Sequence, residues 1–365
     1  GIARGAGRRV VKSKSMATEE IDLNHHLSGA GLEVVETDLG EYVIQLAGEK
    51  PAHIVAPAIH KTVEGIAELL VRTLGIPYTT APHELTAAVR RVLRSRFLEA
   101  DIGISGVNFA VAETGTLVIV ENEGNARLVT TLPRVHIALM GVEKVIPRLA
   151  DLGVFLTLLP RAATGQRMSS YVSLISGPRR PGERDGPEEL HLVIMDNGRS
   201  RIHADPVMRE VLSCIRCGAC LDVCPVFERT GGHAYQSVYS GPIGAVLTPL
   251  TRGLQEAGTL PFASSLCGAC GEVCPVKIDL PGLLLELRSR VVASGRALPA
   301  ERLFIAGWAA VASRPAWFGI AGRAMRMMRR LVGRRPRWLP YPLSNWIASR
   351  DLPAAPPRAF RDRRS

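Results

Sequence analysis

Cys214-Ile215-Arg216-Cys217-Gly218-Ala219-Cys220-Leu221-Asp222-Val223-Cys224-Pro225 places four thiols at the spacing C-x2-C-x2-C-x3-C-P. In this arrangement a short loop lets three thiolates wrap three irons of one cubic cluster, and the three-residue step turns the fourth toward a second cluster. Pro225 breaks the helical direction there. A second run, Ser264-Ser265-Leu266-Cys267-Gly268-Ala269-Cys270-Gly271-Glu272-Val273-Cys274-Pro275, aligns with the first on its closing Cys-Pro and has Ser264 where the first has Cys214. Crossed ligation then predicts one cluster on Cys214, Cys217, Cys220 and Cys274, and a second on Cys224, Cys267 and Cys270. All seven cysteines are used, and the second cluster is one ligand short. That place is open to Ser264, to water, to a partner's ligand, or to loss of one iron. The expected cofactors are therefore two 4Fe-4S clusters, the second with a non-cysteine ligand or in the 3Fe-4S form. Structural zinc on C-x2-C pairs is the rival reading, but zinc takes four ligands per site and seven cysteines in this register give no natural partition.

The 42 residues between Cys224 and Cys267 are too many for a compact two-hairpin ferredoxin and suit an all-α helical ferredoxin domain. Gly231-Gly232-His233-Ala234-Tyr235 and Gly241-Pro242-Ile243-Gly244 lie in this connection, where glycines permit close approach of backbone to a cluster or partner. Downstream, Asp279 caps a helix with Pro281 in its first turn and Gly295 as its stop.

Upstream the texture is α/β. Residues 1–28 read as basic and helical in character (Arg8, Arg9, Lys12, Lys14). Glu41–Leu46 reads as a short strand and Ile54–Val55 as part of a buried one. Val63, Ile66, Ala67, Leu70 and Leu74 recur at helical spacing before Gly75. Thr80 is the expected cap of a second helix, with Pro82 in its first turn and Leu85, Ala88, Val89 and Val92 on one face. Thr116–Val120 and Arg127–Leu132 read as a hairpin around Glu121–Asn125. Val135–Met140, Val154–Leu159 and His191–Met195 read as strands, with a helix over about 142–152. Pro178–Pro187 is an exposed loop. Strands interleaved with helices predict an α/β domain over 1–203, a helical ferredoxin domain over 204–300, and a basic helical tail over 301–365.

The net charge of +11 lies entirely in that tail: it has fourteen Arg against three acids, and residues 1–300 balance. All four Trp (Trp308, Trp317, Trp338, Trp346) are also there. Met325, Met327 and Met328 interleave with Arg323, Arg326, Arg329 and Arg330, and Arg334, Arg335 and Arg337 follow. This pattern points to a docking helix for a partner subunit, with an anionic membrane surface as the second option and nucleic acid the least favoured. The apolar stretch Leu303–Ala312 is too short to span a bilayer, which needs about 20 residues. Seven thiols packed into 61 residues suggest metal and a reducing cytoplasm rather than disulfides.

The chain resembles the lactate utilization protein B family. The resemblance runs through Lys12–Met16, Glu36–Glu41, Gly106–Ala110, Ala112–Leu117, Glu121–Arg127, Ala163–Gln166, Gly231–Tyr235 and Ser265–Cys270. It covers about residues 8–300, and Ser264 is no departure from the family. The chain opens on Gly1, and the family leads one to expect a further N-terminal segment. The resemblance implies a LUD domain, similar to the NagB/ribose-phosphate isomerase/CoA-transferase fold, joined to the ferredoxin domain. It also implies a role in oxidising L-lactate to pyruvate with two companions: a cysteine-rich protein like a heterodisulfide reductase subunit, and a second, smaller LUD protein. The alternatives are a metabolite-binding LUD module with redox-sensing clusters, or the electron-transfer subunit of another such reductase.

No catalytic residue is assigned. Glu113 and Glu123 are candidate carboxylates beside turns, although turn chemistry explains them better. Thr164-Gly165-Gln166 is a candidate for holding an anion. His25-His26 read as surface residues. No G-x-G-x-x-G follows a strand, so no dinucleotide site of that type is visible. A cluster takes one electron at a time, so two-electron oxidation of a hydroxy acid is expected elsewhere in the complex or at an unseen cofactor.

Overall fold

The computed structural model describes residues 7–52, 57–295, 299–331, 344–345, 351, 353–354 and 356. The expected strand at Ile54–Val55 lies outside them. The chain divides into two units, Gly1–Val291 and Val292–Ser365.

In the first unit, nine strands form two sheets among the described residues. They are β1 (Arg9–Lys12), β2 (Glu33–Glu36), β3 (Ile102–Gly106), β4 (Phe109–Val111), β5 (Thr116–Glu121), β6 (Val135–Gly141), β7 (Val145–Ile146), β8 (Tyr171–Ile175) and β9 (Glu189–Met195). The larger sheet has the order β2-β1-β3-β6-β9 with every pair parallel. The chain first steps from β1 to β2 on one side, then crosses to β3 on the other. The order therefore reverses between β1 and β3, which opens a crevice at the carboxyl ends of those strands. Helices Val63–Leu74 and Pro82–Leu98 bury Leu70, Leu85, Val89 and Phe97 against Val11 and Tyr42. The smaller sheet, β7-β4-β5-β8, packs Phe109, Val111 and Val118 against Leu152 and Leu159 of the helix Leu152–Thr164.

Both predicted amphipathic helices form. Thr62 caps the first through Gly65 N (3.1 Å), and Gly75 ends it at φ +65°. The second is not capped by Thr80: its N-cap is Ala81, without a side-chain cap bond, and just ahead of it the Thr79 hydroxyl accepts from Ala81 N (3.1 Å) and donates to Glu84.

Three expected strands are helical instead, and two of them have a local cause in a capping carboxylate. Glu41–Leu46 lies within the helix Leu39–Ala47, because Asp38 accepts from Glu41 N (3.1 Å) and Gly48 closes the far end at φ +66°. Arg127–Leu132 falls largely within the helix Asn125–Thr131, because the Glu121 carboxylate accepts from Ala126 N (2.8 Å) and Arg127 N (2.7 Å). There is no hairpin here; β5 pairs antiparallel with β4 and β8. Val154–Leu159 belongs to the helix Leu152–Thr164, and the helix expected over 142–152 breaks into two 3-10 turns around β7. Arg9–Lys12 is strand, and helix begins only at Met16, where Ser15 accepts from Thr18 N.

His136 on β6 is fully buried, with Ser105 Oγ of β3 2.8 Å from its Nε2. Burial alone pushes its pKa down to about 4. An unfolded histidine takes its proton near pH 6.5, so the unfolded state binds more protons between pH 6.5 and 4. Stability is complete above that window and falls by about 3 kcal/mol as the pH drops through it. His136→Gln should flatten this acid limb in urea-unfolding curves taken from pH 7 to 4.

After β9 the first unit holds no strand among the described residues. Met208, Val211, Leu247, Leu284 and Leu287 form its helical core. The α/β-then-helical architecture read from sequence is present. Gly244 is needed for packing: a Cβ there would lie 2.1 Å from the Tyr239 carbonyl oxygen, so the close approach is to protein backbone. Asp279 caps Leu280–Ala293 through Gly282 N (3.1 Å) as expected.

The second unit contains helices Pro299–Ala312 and Pro315–Leu331. Trp308, Trp317, Met325, Met327 and Met328 are exposed on them. No single helix among the described residues is long and apolar enough to cross a membrane; Arg302–Ala312 and Pro315–Leu331 reach that length and composition only together, bent by 108°. Arg334, Arg335, Arg337, Trp338 and Trp346 lie outside the described residues.

Candidate metal centre and adjoining cleft

The two cysteine runs fold as copies of one loop. Arg216 and Leu266, each just before a cysteine, take left-handed φ of 64° and 55°, and Gly218 and Gly268 follow at 83° and 90°. Left-handed backbone costs a non-glycine residue roughly 1–2 kcal/mol, so its repetition marks a turn that the thiol arrangement demands. Short helices Ala219–Asp222 and Ala269–Val273 come next. Cys224 Sγ accepts from Phe227 N (3.5 Å) and Cys274 Sγ from Ile278 N (3.4 Å). At the loop entrance Cys214 Sγ accepts from Arg216 N (3.4 Å), and Ser264 Oγ accepts from Leu266 N (3.1 Å). Ser264 thus holds the same place as Cys214, with its oxygen where the sulfur would be.

Cys214, Cys217, Cys220 and Cys274 line one cavity of about 50 Å³, and Cys224, Cys267 and Cys270 are not on its wall. Cys217 interacts electrostatically with Cys214 and Cys274, and Cys270 with Cys224 and Cys267. These neighbours are the ones that crossed ligation calls for, and Cys220 also interacts with Cys270 of the other set. Burial pushes the thiols of Cys217, Cys220 and Cys270 up, a penalty that a positive metal centre offsets by holding thiolates. Cys267 is exposed, and the N–H of Ala269 holds its thiol below the ordinary value. Among the described residues no group of three or more His, Cys, Asp or Glu is placed to hold a metal ion. The donor set suits a cluster, whose ligands stand apart around a cube, better than zinc, whose thiolates meet about 2.3 Å from one point.

The first cysteine loop is built into the α/β region. Ile215 and Cys217 pack with Phe109, Val118, Ile146 and Leu159. Beside them runs a buried charge network. Arg199, 1% exposed, donates Nη2 to Glu20 Oε2 (2.8 Å), Nη1 to Glu20 Oε1 (2.9 Å) and Nε to Glu143 Oε2 (2.5 Å). Glu143 Oε1 faces Arg216 Nη2 at 3.5 Å. The Arg216 guanidinium lies 4.5 Å over the Tyr239 ring, and the Tyr239 hydroxyl donates to Glu20 (2.7 Å).

A second, larger cavity of about 330 Å³ opens at the carboxyl ends of β1, β3 and β6. Its wall includes Lys14, Asp38, Asn108, Glu123, Lys144 and Arg216. Five of the stretches on which the family resemblance was drawn converge there: Lys12–Met16, Glu36–Glu41, Gly106–Ala110, Glu121–Arg127 and Ala163–Gln166. Glu123 is on the wall; burial, then its hydrogen bond with Asp38, push it up to about 8. Against the pull of burial, that bond and the charge of Lys14 hold Asp38 below the usual range. Thr164 and Gln166 are on the wall too, and Gln166 accepts from Asn122 (2.9 Å) and Thr164 (2.8 Å). Glu113 is not; it accepts from Leu149 N (2.9 Å). His25 and His26 are exposed, as read. Lys144, Glu143, Arg199 and Glu20 were not singled out in the sequence, and only the distant parts of the fold bring them together.

A LUD domain matches residues 3–195 and a 4Fe-4S dicluster domain matches residues 210–278. This is a LUD-domain protein with a dicluster iron–sulfur domain behind it. Lactate utilization protein B of Bacillus licheniformis is 49% identical over 99% of this chain and 76% of its own length, and that of Bacillus subtilis is 48% identical with the same coverage. The chain belongs to the lactate utilization protein B family. Among solved structures, a DUF162 family protein from Deinococcus radiodurans is 17% identical over 52% of this chain and 88% of its own, with a TM-score of 0.24.

Proposed function

We propose that this chain is the iron–sulfur electron-transfer subunit of a complex that oxidises L-lactate to pyruvate. One observation supports it above the others: thiols from two distant segments, Cys214, Cys217 and Cys220 from one and Cys274 from the other, line a single cavity. Family membership and the names of the relatives point the same way. On this reading Cys214, Cys217, Cys220 and Cys274 hold cluster one, and Cys224, Cys267 and Cys270 hold cluster two. Bound there, the clusters would supply single-electron acceptance and release. The protein's part is to seat them in apolar surroundings, to bring the two sets side by side at Cys220 and Cys270, and to leave one edge open at the exposed Cys267. That edge is where a companion would dock. The companions are a cysteine-rich subunit and a second LUD protein, in the cytoplasm. The domain limits of 203 and 300 belong to this reading, as does partner or membrane-surface contact by the basic tail, without nucleic acid.

Oxygen-free purification should yield about seven to eight irons per chain with matching sulfide. Lactate added with both companions should bleach the cluster absorption and raise an EPR signal. Zinc in place of iron would sink the proposal. Iron-loaded protein that lactate leaves oxidised would favour a metabolite-binding module with redox-sensing clusters, a reading to which the cleft lends some support. Ser264→Cys should add a fourth thiolate to cluster two and change its EPR spectrum while leaving that of cluster one in place.

A further inference from the structure

The second unit turns apolar side chains outward on both of its helices. Along Pro315–Leu331 successive residues advance about 100° around the axis. Arg323, Arg326, Arg329 and Arg330 then fall within about 120° of arc, which they share only with Pro315, Gly319 and Gly322. The rest of the circumference carries no polar side chain. Trp317, Phe318, Ile320, Met325, Met328 and Leu331 lie there, from 45% (Phe318) to 82% (Leu331) exposed. The stretch Leu303–Ala312 differs in having no polar face. Leu303, Phe304, Trp308 and Ile305 spread over about 200° of the circumference, and the alanines at 306, 309 and 310 take the remainder. All seven are exposed. A helix apolar all round is ordinarily buried; this one is not.

An exposed apolar surface of this extent marks a contact with something else, and its chemistry narrows what that is. A protein groove covers one face of a helix, and Leu303–Ala312 has no face to leave in water. From Arg302 to Leu331 there are six arginines and no Asp, Glu or Lys, so the partner is uniformly negative rather than mixed in sign. Trp308 and Trp317 lie on either side of the bend, and tryptophan favours the headgroup level of a bilayer. An aromatic and aliphatic face opposite an arginine stripe is the make-up of a helix that lies in the plane of a membrane. Crossing the membrane is disfavoured, because it would carry Arg323 and Arg326 into hydrocarbon.

We infer that Pro299–Ala312 and Pro315–Leu331 seat this chain on an anionic phospholipid surface, apolar side chains among the upper acyl chains and the arginine stripe at the phosphates. This chooses between the two surfaces named above for the basic tail, and it rests on that part of the reading alone.

All four Trp of the chain lie beyond residue 300, so tryptophan fluorescence reports on the tail and nothing else. The test floats the iron-loaded full chain with vesicles of phosphatidylcholine, or of equal parts phosphatidylcholine and phosphatidylglycerol. Binding to the anionic vesicles should be at least about tenfold tighter than to the neutral ones and should weaken with salt. It should shift the emission to the blue, and lipids brominated in their acyl chains should quench it. Arg323→Gln, Arg326→Gln and Arg330→Gln together should weaken binding about a hundredfold. Ile320→Gln with Met328→Gln leaves the charge and every Trp in place, and should weaken it at least about tenfold. Iron content and circular dichroism establish that each variant is folded. Failure of the folded chain to float with the anionic vesicles overturns the inference. So do equal binding to neutral vesicles, indifference to either set of substitutions, or an emission that binding leaves unmoved. A blue shift produced without lipid, by companion subunits or by raising the chain's own concentration, and unchanged when vesicles are added, also overturns it: the apolar faces would then meet protein. Cluster reduction by lactate is measured without vesicles and vesicle binding without lactate, so the two proposals fail separately.

Discussion

Replacing Cys274 with alanine is expected to remove the cluster held by Cys214, Cys217 and Cys220, and to spare the one held by Cys267 and Cys270. The chain thereby loses about four irons from a site most of whose ligands lie more than fifty residues away. A reading in which each run keeps its own thiols predicts the opposite, since Cys274 belongs to the Cys267 run. The cavity favours the first: Cys274 is on the wall with Cys214, Cys217 and Cys220, and neither Cys267 nor Cys270 is. Cys224→Ala is the mirror experiment and should disturb only the site of Cys267 and Cys270. Iron and sulfide analysis with EPR of both variants gives the answer. If Cys274→Ala and Cys267→Ala lose the same signal, crossed ligation is wrong.

The second large effect is expected at Arg199. It is among the largest fully buried side chains, with carboxylates of Glu20 and Glu143 on either side, 8% and 3% exposed. Arg199→Met keeps most of the volume and leaves two buried carboxylates without their main counter-charge. Breaking a buried pair in this way costs about 3–5 kcal/mol. Urea unfolding should show a midpoint well below that of the parent at an unchanged slope. Adding Glu20→Gln and Glu143→Gln to Arg199→Met should recover part of the loss, because the stranded charges are then gone. A single variant as stable as the parent would mean that water reaches the network.

The parts of this protein that were legible in the sequence are those set by local spacing. The four-thiol run, its repeat with Ser264, and the helix Val63–Leu74 each follow from residues within one or two turns of each other, and all three fold as read. The misread segments were apolar runs judged by composition, and in two of them, Glu41–Leu46 and Arg127–Leu132, what overrode composition was a carboxylate just ahead. Asp38, three residues before Glu41, is a capping pattern visible in the sequence; Glu121, ahead of Asn125–Thr131, binds two successive N–H groups and is harder to recognise. Strand β1 is short and flanked by Arg9 and Lys12, so its alternation was lost among charges. The buried Lys12 meets Glu36 at 2.7 Å, a pairing fixed by the parallel register of β1 and β2. The cleft is a harder case. Its wall runs from Ser13 to Tyr239, and no periodicity links Lys14 with Arg216. Thr164 and Gln166 were singled out for an anion and do border the cleft, whereas Lys144 gave no signal at all.

The seam between the α/β part and the cysteine-bearing part has an evolutionary and practical corollary. A chain severed after residue 203 would part Tyr239 from Glu20, Arg216 from Glu143, and Ile215 from its apolar neighbours on β4 and β5. Two stretches that match separate families in the sequence are thus not interchangeable cassettes. A gene that swapped in a foreign dicluster half would have to bring matching partners for a glutamate at 20 and a glutamate at 143, or acquire them before the hybrid became soluble.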